Sequence, residues 1–273
     1  MDSYQKLVET TDYLRSFINK EYRTAVVLGS GLGNFINDIS VDAEVPYSQI
    51  PNFPVSTVEG HSGKMIFGFL NGKSIIAMAG RFHFYEGYSA EEVVLPIRVL
   101  RMLGVENLLL SNAAGGVNPN FRVGDLMIIT DHISLATVNP LLGRNEERVG
   151  PRFPDMSEPY KKEFIVKGKT IAAAHGIDVK EGVYFGVTGP SFETRSEYKM
   201  IYKLGGDAVG MSTVQEVIAA VHAGMHVFAM SVITDMGIRE EDNVITHEEV
   251  LDAAQKAEPK LTAIFRDIIR DFN

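Results

Sequence analysis

Short apolar runs alternate with helix-periodic segments from residue 3 to residue 271, and this alternation constrains the fold more than any other feature of the chain. Strands are expected at 25–28, 65–70, 74–79, 107–111, 126–130, 183–187, 207–210 and 227–234, each short and bounded by glycine or polar clusters. Helices are expected at 3–18, 90–103, 160–175, 195–204, 213–223 and 247–271. Four of these open on a Ser or Thr followed three residues later by Glu: Ser89 with Glu92, Thr194 with Glu197, Thr213 with Glu216 and Thr246 with Glu249. That spacing lets side chain and backbone cap each other. The segment "KMIFGFLNGKSIIAMAG" reads as a hairpin turning at Asn71-Gly72. Alternating elements predict a three-layer α/β fold, and the hairpin makes its sheet mixed. No linker, repeat or low-complexity segment interrupts the pattern, so a single domain over 1–273 is expected.

Composition narrows the function. At 273 residues, with 45% hydrophobic and 22% charged residues, the chain matches an ordinary globular protein with a substantial core. A net charge of −9 argues against a nucleic-acid partner, which needs a basic face, but leaves a small anionic substrate open. The absence of cysteine removes disulfides, thiolate nucleophiles and cysteine metal sites, and fits a cytoplasmic protein. "MDSYQKLVETTDYLRSFI" has helical spacing and no signal-peptide core. The apolar stretch from Val217 to Ile233 is broken by His222, Gly224 and His226, so no membrane span is expected.

The run "TAVVLGSGLGN" at 24–34 is a strand breaking into three glycines. It fails the dinucleotide pattern G-x-G-x-x-G, because Asn34 stands where the third glycine belongs. "GFLNGKS" at 68–74 resembles a phosphate loop but has three residues between its glycines where four are needed. What remains is a turn that offers N–H groups and the Ser30 hydroxyl to one small anion, although a tight turn without a ligand would look the same.

Further stretches carry polar groups at strand exits. In "AGRFHFYEGYS", the alternate spacing of Arg81, His83 and Tyr85 points them to one side of an extended chain, as an oxyanion acceptor would require. A solvated arginine and a core histidine are the plainer alternative. "MSTVQEV" puts Ser212 and Thr213 at a helix N-terminus, suited to an anion or to capping alone. "SNAAGGVNP" allows close backbone approach to a flat ligand, or simply turns. "GPSFETRSEY" sets Phe192 and Glu193 before a capped helix, where they could stack and hydrogen-bond a heterocycle or only pack. "GHSGK" and "GMSTV" are not nucleophile elbows, and "HEEVL" is not a zinc motif. The loop "NPLLGRNEERVGPRFPDM" is either a surface loop or a subunit contact. Anion donors beside a base-like site, with no nucleophile or metal, suggest phosphate itself as a reactant.

The motifs "LGSGLG", "VEGHSGKMIFG", "GRFHFYEGYS", "SNAAGGVNPNFRVGDLMIITDHI", "RFPDMSEPY", "GVTGPSFET" and "GDAVGMSTVQEVIAA", taken in order, resemble the trimeric purine nucleoside phosphorylase family from about residue 24 to 255. The resemblance implies an α/β fold whose mixed sheet curls into a small barrel, a homotrimer, and reversible phosphorolysis of purine nucleosides to free base and ribose 1-phosphate. It implies no cofactor and no metal. Carried over, it puts phosphate against Ser30, His61, Arg81, His83, the Ala113 backbone and Ser212. It puts the ribose over Met211 with Tyr85 and His247 toward its hydroxyls, and the purine near Ala113, Phe192, Glu193 and Val209. His83, Glu193 and Asp235 are the implied catalytic groups, and Phe153 closes a neighbouring subunit's pocket. Members specific for 6-oxopurines carry asparagine where this chain has Asp235. An ionised carboxylate only accepts hydrogen bonds, so Asp235 bears on base preference and not on phosphorolysis. Inosine and guanosine are expected as the main substrates, in purine salvage.

Overall fold

The computed structural model describes residues 2–18, 20–55, 62–238 and 246–272. Among these residues, nine strands form one mixed sheet: β1 (Thr24–Val27), β2 (Ser40–Pro46), β3 (Lys64–Leu70), β4 (Lys73–Ala79), β5 (Asn107–Gly116), β6 (Leu126–Ala136), β7 (Val179–Val187), β8 (Ala208–Gly210) and β9 (His226–Met236). Their spatial order is β2-β3-β4-β1-β5-β8-β7-β6-β9, and β9 also pairs with β5. That last pairing curls the strands from β5 to β9 into a ring, the small barrel expected from the resemblance. Among the described residues, six α-helices flank the sheet: α1 (Ser3–Arg15), α2 (Ala90–Met102), α3 (Lys162–Ala174), α4 (Arg195–Lys203), α5 (Val214–His222) and α6 (His247–Arg270). All six follow the sequence reading to within three residues at either end.

The central strands β4, β1, β5 and β9 run parallel to one another. Their side chains are buried almost throughout, as expected for strands covered on both faces. The C-terminal ends of these four strands open on a common edge, where open α/β sheets place their ligands. The hairpin turns as predicted: Leu70 pairs with Lys73, and Asn71 and Gly72 adopt φ of 51° and 78°. Positive φ at both central residues is what a type I′ turn demands.

Two differences from the sequence reading have clear causes. β2 has no core-facing alternation to betray it. It is a mostly exposed edge strand with a bulge between Val41 and Ala43, held by backbone pairing to β3. β5 runs on through Ala113–Gly116, a stretch with low strand propensity, because the ring requires backbone to pass close to backbone. A Cβ on Gly116 would lie 2.6 Å from the Met236 sulfur, so only glycine fits there.

Candidate functional site

The site lies at the shared edge of β1, β4, β5 and β9, in a cleft lined by residues at the ends of all four strands.

The glycine turn leaves β1 and wedges between β5 and α6. A Cβ on Gly29 would lie 2.7 Å from the Ser111 carbonyl oxygen, and one on Gly31 would lie 2.7 Å from the Ala254 Cβ of α6. Gly31 also takes φ of 72°, so glycine is required twice over. Beyond it a short 3-10 helix, Gly33–Asp38, begins on the buried Glu258 carboxylate of α6. Glu258 accepts from the N–H of Asn34 at 2.6 Å and of Phe35 at 3.2 Å, and from Asn34 Nδ2 at 2.7 Å. The turn carrying Ser30 is thereby fixed to β5 at its start and to α6 at its end.

Arg81 follows β4 and is 1% exposed. Its Nε donates to Glu216 Oε1 at 3.0 Å, Nη2 lies 2.9 Å from Glu216 Oε2, and Nη1 donates to the Ser111 carbonyl at 2.5 Å. This bidentate, buried ion pair spans from the β4 exit to α5. His83 is similarly held, since Glu86 Oε1 accepts its backbone N–H at 2.8 Å and lies 3.1 Å from its Nδ1. That contact puts a proton on Nδ1. Tyr85 stacks on the His83 ring, centroids 4.8 Å apart. The chain is not extended through here, because Phe84–Glu86 forms a 3-10 turn, yet Arg81, His83 and Tyr85 all line the cleft.

Ser212 and Thr213 precede α5, but the predicted capping box of Thr213 with Glu216 does not form. Glu216 is taken by Arg81, and Thr213 adopts φ 68° and ψ −53° in a γ-turn, with the Val214 N–H donating to the Ser212 carbonyl at 2.7 Å. Such a conformation is strained for a β-branched residue. The other three predicted capping boxes are present.

At the opposite end of the cleft are two carboxylates. Glu193 is half-buried, and desolvation, reinforced by the neighbouring Asp235 charge, raises its pKa above the ordinary glutamate range. Asp235, at the end of β9, is 6% exposed and accepts from Thr234 Oγ1 at 3.2 Å. Phe192 is partly exposed beside Glu193. Val209 and Met211 come from β8 and its exit, Ala113 from β5, and His247 from the first turn of α6. The floor between the two ends is the small-residue run of β5, where a Cβ on Gly115 would lie 3.0 Å from Asp235 Oδ2.

The structure therefore gathers Ser30, Arg81, His83, Tyr85, Ala113, Phe192, Glu193, Val209, Met211, Ser212, Asp235 and His247 into one cleft. His61 lies outside the described residues. Phe153 does not reach the cleft of its own chain; it is 87% exposed beside a surface hollow with His132 and Arg152. Sequence reasoning missed Glu86, Ser111, Asn112 and Tyr184, and read Glu216 only as a capping partner of Thr213. No spacing signal marks them, since each meets its partner across the fold or through one turn. Among the described residues, no group of three or more acidic or histidine side chains gathers as a metal site would, and no helix is long and apolar enough to cross a membrane.

Comparison with known proteins agrees with this geometry. A family model described as Phosphorylase superfamily matches residues 23–270. The chain is 48% identical to purine nucleoside phosphorylase 1 of Geobacillus stearothermophilus over 259 residues, covering 93% of this chain and 94% of that protein. It is 47% identical to the purine nucleoside phosphorylase of Bos taurus, covering 95% and 92% respectively. Among solved structures, isoform 2 of the Schistosoma mansoni purine nucleoside phosphorylase, in complex with cytosine and ribose-1-phosphate, superposes with a TM-score of 0.93 at 42% identity, over 99% of this chain and 97% of that one. A second S. mansoni purine nucleoside phosphorylase structure, in complex with adenosine, gives a TM-score of 0.92 at 38% identity and 98% coverage of both chains. The chain belongs to the phosphorylase superfamily and is an enzyme of the purine nucleoside phosphorylase type.

Proposed function

We propose that the enzyme catalyses reversible phosphorolysis of purine ribo- and deoxyribonucleosides, preferring the 6-oxopurine nucleosides inosine and guanosine, in purine salvage. Phosphate takes the end formed by Ser30, Arg81, His83, the Ala113 backbone and Ser212, together with His61. The sugar spans Met211 with Tyr85 and His247 toward its hydroxyls. The purine lies by Phe192 and Val209 within reach of Glu193 and Asp235. In the reaction the C1′–N9 bond breaks with its electron pair passing to the purine, and a phosphate oxygen forms the new bond to C1′. The sugar becomes cationic between these events. Holding a dianion on one face of it and orienting the departing base on the other is catalysis by positioning and electrostatics. Every group in that account belongs to the protein or the two substrates, so no cofactor and no metal is required. Phe153 is assigned to the pocket of a neighbouring subunit in a cytoplasmic homotrimer, which accounts for a large apolar side chain standing 87% exposed.

The observation that carries this reading is the polarity of a single cleft: oriented cationic and hydroxyl donors at one end, two carboxylates at the other, small residues between. The solved relatives in complex with adenosine and with hypoxanthine support a purine at such a site. The test is turnover of inosine, guanosine and adenosine with and without inorganic phosphate, following ribose 1-phosphate. Phosphate-dependent release of hypoxanthine and guanine, faster than of adenine, is expected. Equal turnover without phosphate would mean hydrolysis and would overturn the proposal.

A further inference from the structure

Three side chains at the anion end form a hydrogen-bond chain whose direction is set at its buried start. Asn112 is 1% exposed, and its Nδ2 donates to Thr213 Oγ1 at 2.8 Å. An amide nitrogen can only donate, so the Thr213 oxygen is the acceptor there and must send its own proton elsewhere. Among the described residues it meets Ser212 Oγ, 3.1 Å away. On its second side, Ser212 meets Tyr184. The Ser212 N–H donates to the Tyr184 hydroxyl oxygen at 3.4 Å, which fixes the backbone beneath the serine. Gly210 makes that approach possible, since a Cβ there would lie 2.2 Å from the Tyr184 hydroxyl.

We propose that Asn112 and Thr213 are positioning residues that supply the Ser212 oxygen with a donor and so commit the Ser212 proton to the substrate anion. Ser212 then acts only as a donor, and the site selects a fully deprotonated phosphate oxygen over a protonated one. The γ-turn at Thr213 is what brings its hydroxyl back against Ser212, which gives the strained backbone a function. This inference rests on the proposed placement of phosphate at Ser212.

The test is steady-state kinetics of Ser212→Ala, Thr213→Val and Thr213→Ser, read as separate phosphate and nucleoside KM values across pH. Ser212→Ala is expected to raise the phosphate KM about tenfold or more, the usual scale for a lost bond to a charged group. Thr213→Val keeps the side-chain shape and is expected to raise it by about fivefold, with nucleoside KM within about twofold and Thr213→Ser close to wild type. The wild-type phosphate KM should fall as pH rises through the second ionisation of phosphate, and Thr213→Val should flatten that fall, because Ser212 can then accept as well as donate. If Ser212→Ala leaves the phosphate KM unchanged, the placement of phosphate fails and the chain of donors fails with it. If Ser212→Ala raises it while Thr213→Val and its pH profile match wild type, only the chain of donors is wrong. Should Thr213→Val not fold, Asn112→Ala tests the same point from the start of the chain, and a wild-type phosphate KM in that variant overturns it.

Discussion

Replacing Glu216 by glutamine removes one charge from the Arg81 pair while keeping the shape of the side chain. The two partners are among the most buried charged residues of the cleft, with Arg81 1% and Glu216 4% exposed. Breaking a buried pair by neutralising one partner leaves an uncompensated charge and costs roughly 3–5 kcal/mol. Glutamine can still accept one of the two Arg81 N–H groups, so the lower end applies, about 3 kcal/mol. For a chain of this size each kcal/mol moves the melting temperature by about 2–4 °C, so a fall on the order of 10 °C is expected. The third anchor, Nη1 on the Ser111 carbonyl at 2.5 Å, keeps the guanidinium near its place. A phosphate dianion can then supply the missing countercharge. Scanning calorimetry with and without saturating phosphate should therefore show a larger phosphate-induced rise in the variant than in the wild type. A ligand-free melting temperature within 2 °C of wild type, on a scale where about 10 °C is expected, would refute the reasoning. So would an equal phosphate-induced rise in both proteins.

Three further outcomes are expected. Phe153→Ala should raise the nucleoside KM with little change for phosphate, and subunits of Phe153→Ala co-assembled with Arg81→Ala should regain activity; a fully active monomer refutes the shared pocket. Because the Glu193 pKa is raised, its ionised, accepting form is lost on acidification at a higher pH than an ordinary glutamate of about 4.3, so kcat/KM for inosine should fall early on the acid side. Glu193→Gln should abolish that limb while lowering activity, and an unaltered acid limb in this variant would exclude Glu193 as its source. Asp235→Asn should suppress adenosine turnover relative to inosine, measured as the ratio of kcat/KM values, and an unchanged ratio means that Asp235 does not read the base.

The helices and central strands were legible because burial on one stripe or on both faces leaves a periodic trace, as in Val26, Val27, Leu109 and Leu110. The cleft residues were legible for a different reason: they stand at strand exits, where glycines and polar residues interrupt an apolar run. Two kinds of feature left no such trace. The edge strand β2 needs only backbone pairing, so its side chains are free to be polar. Long-range polar partnerships such as Glu216 with Arg81, 135 positions apart, depend on topology that composition does not encode. Glu216 shows how a local rule is displaced. Its spacing from Thr213 satisfies the capping pattern, but a buried guanidinium is a stronger partner than one backbone N–H, and the cap is given up.

The same partnerships determine how this cleft handles charge. Among the described residues, its arginine is matched by Glu216 and its anion-end histidine by Glu86, and both carboxylates are buried. These groups therefore give the anion end no net positive charge before substrate arrives, in a chain whose net charge is −9. Under the proposed placement of phosphate, long-range attraction contributes little, and what favours a dianion is the fixed direction of short-range donors: the turn at Ser30, the Arg81 fork, and the Ser212 hydroxyl on its strained γ-turn. Oriented dipoles in a dehydrated cleft retain their strength as salt rises, whereas a net cationic patch would be screened. The lack of net positive charge also bears on turnover in the proposed reaction. A cleft with a large positive potential would hold both phosphate and ribose 1-phosphate tightly, and would oppose the cationic sugar that forms between them. Pairing the Arg81 cation with a carboxylate would let the phosphate's own charge, and not the protein's, stabilise that sugar.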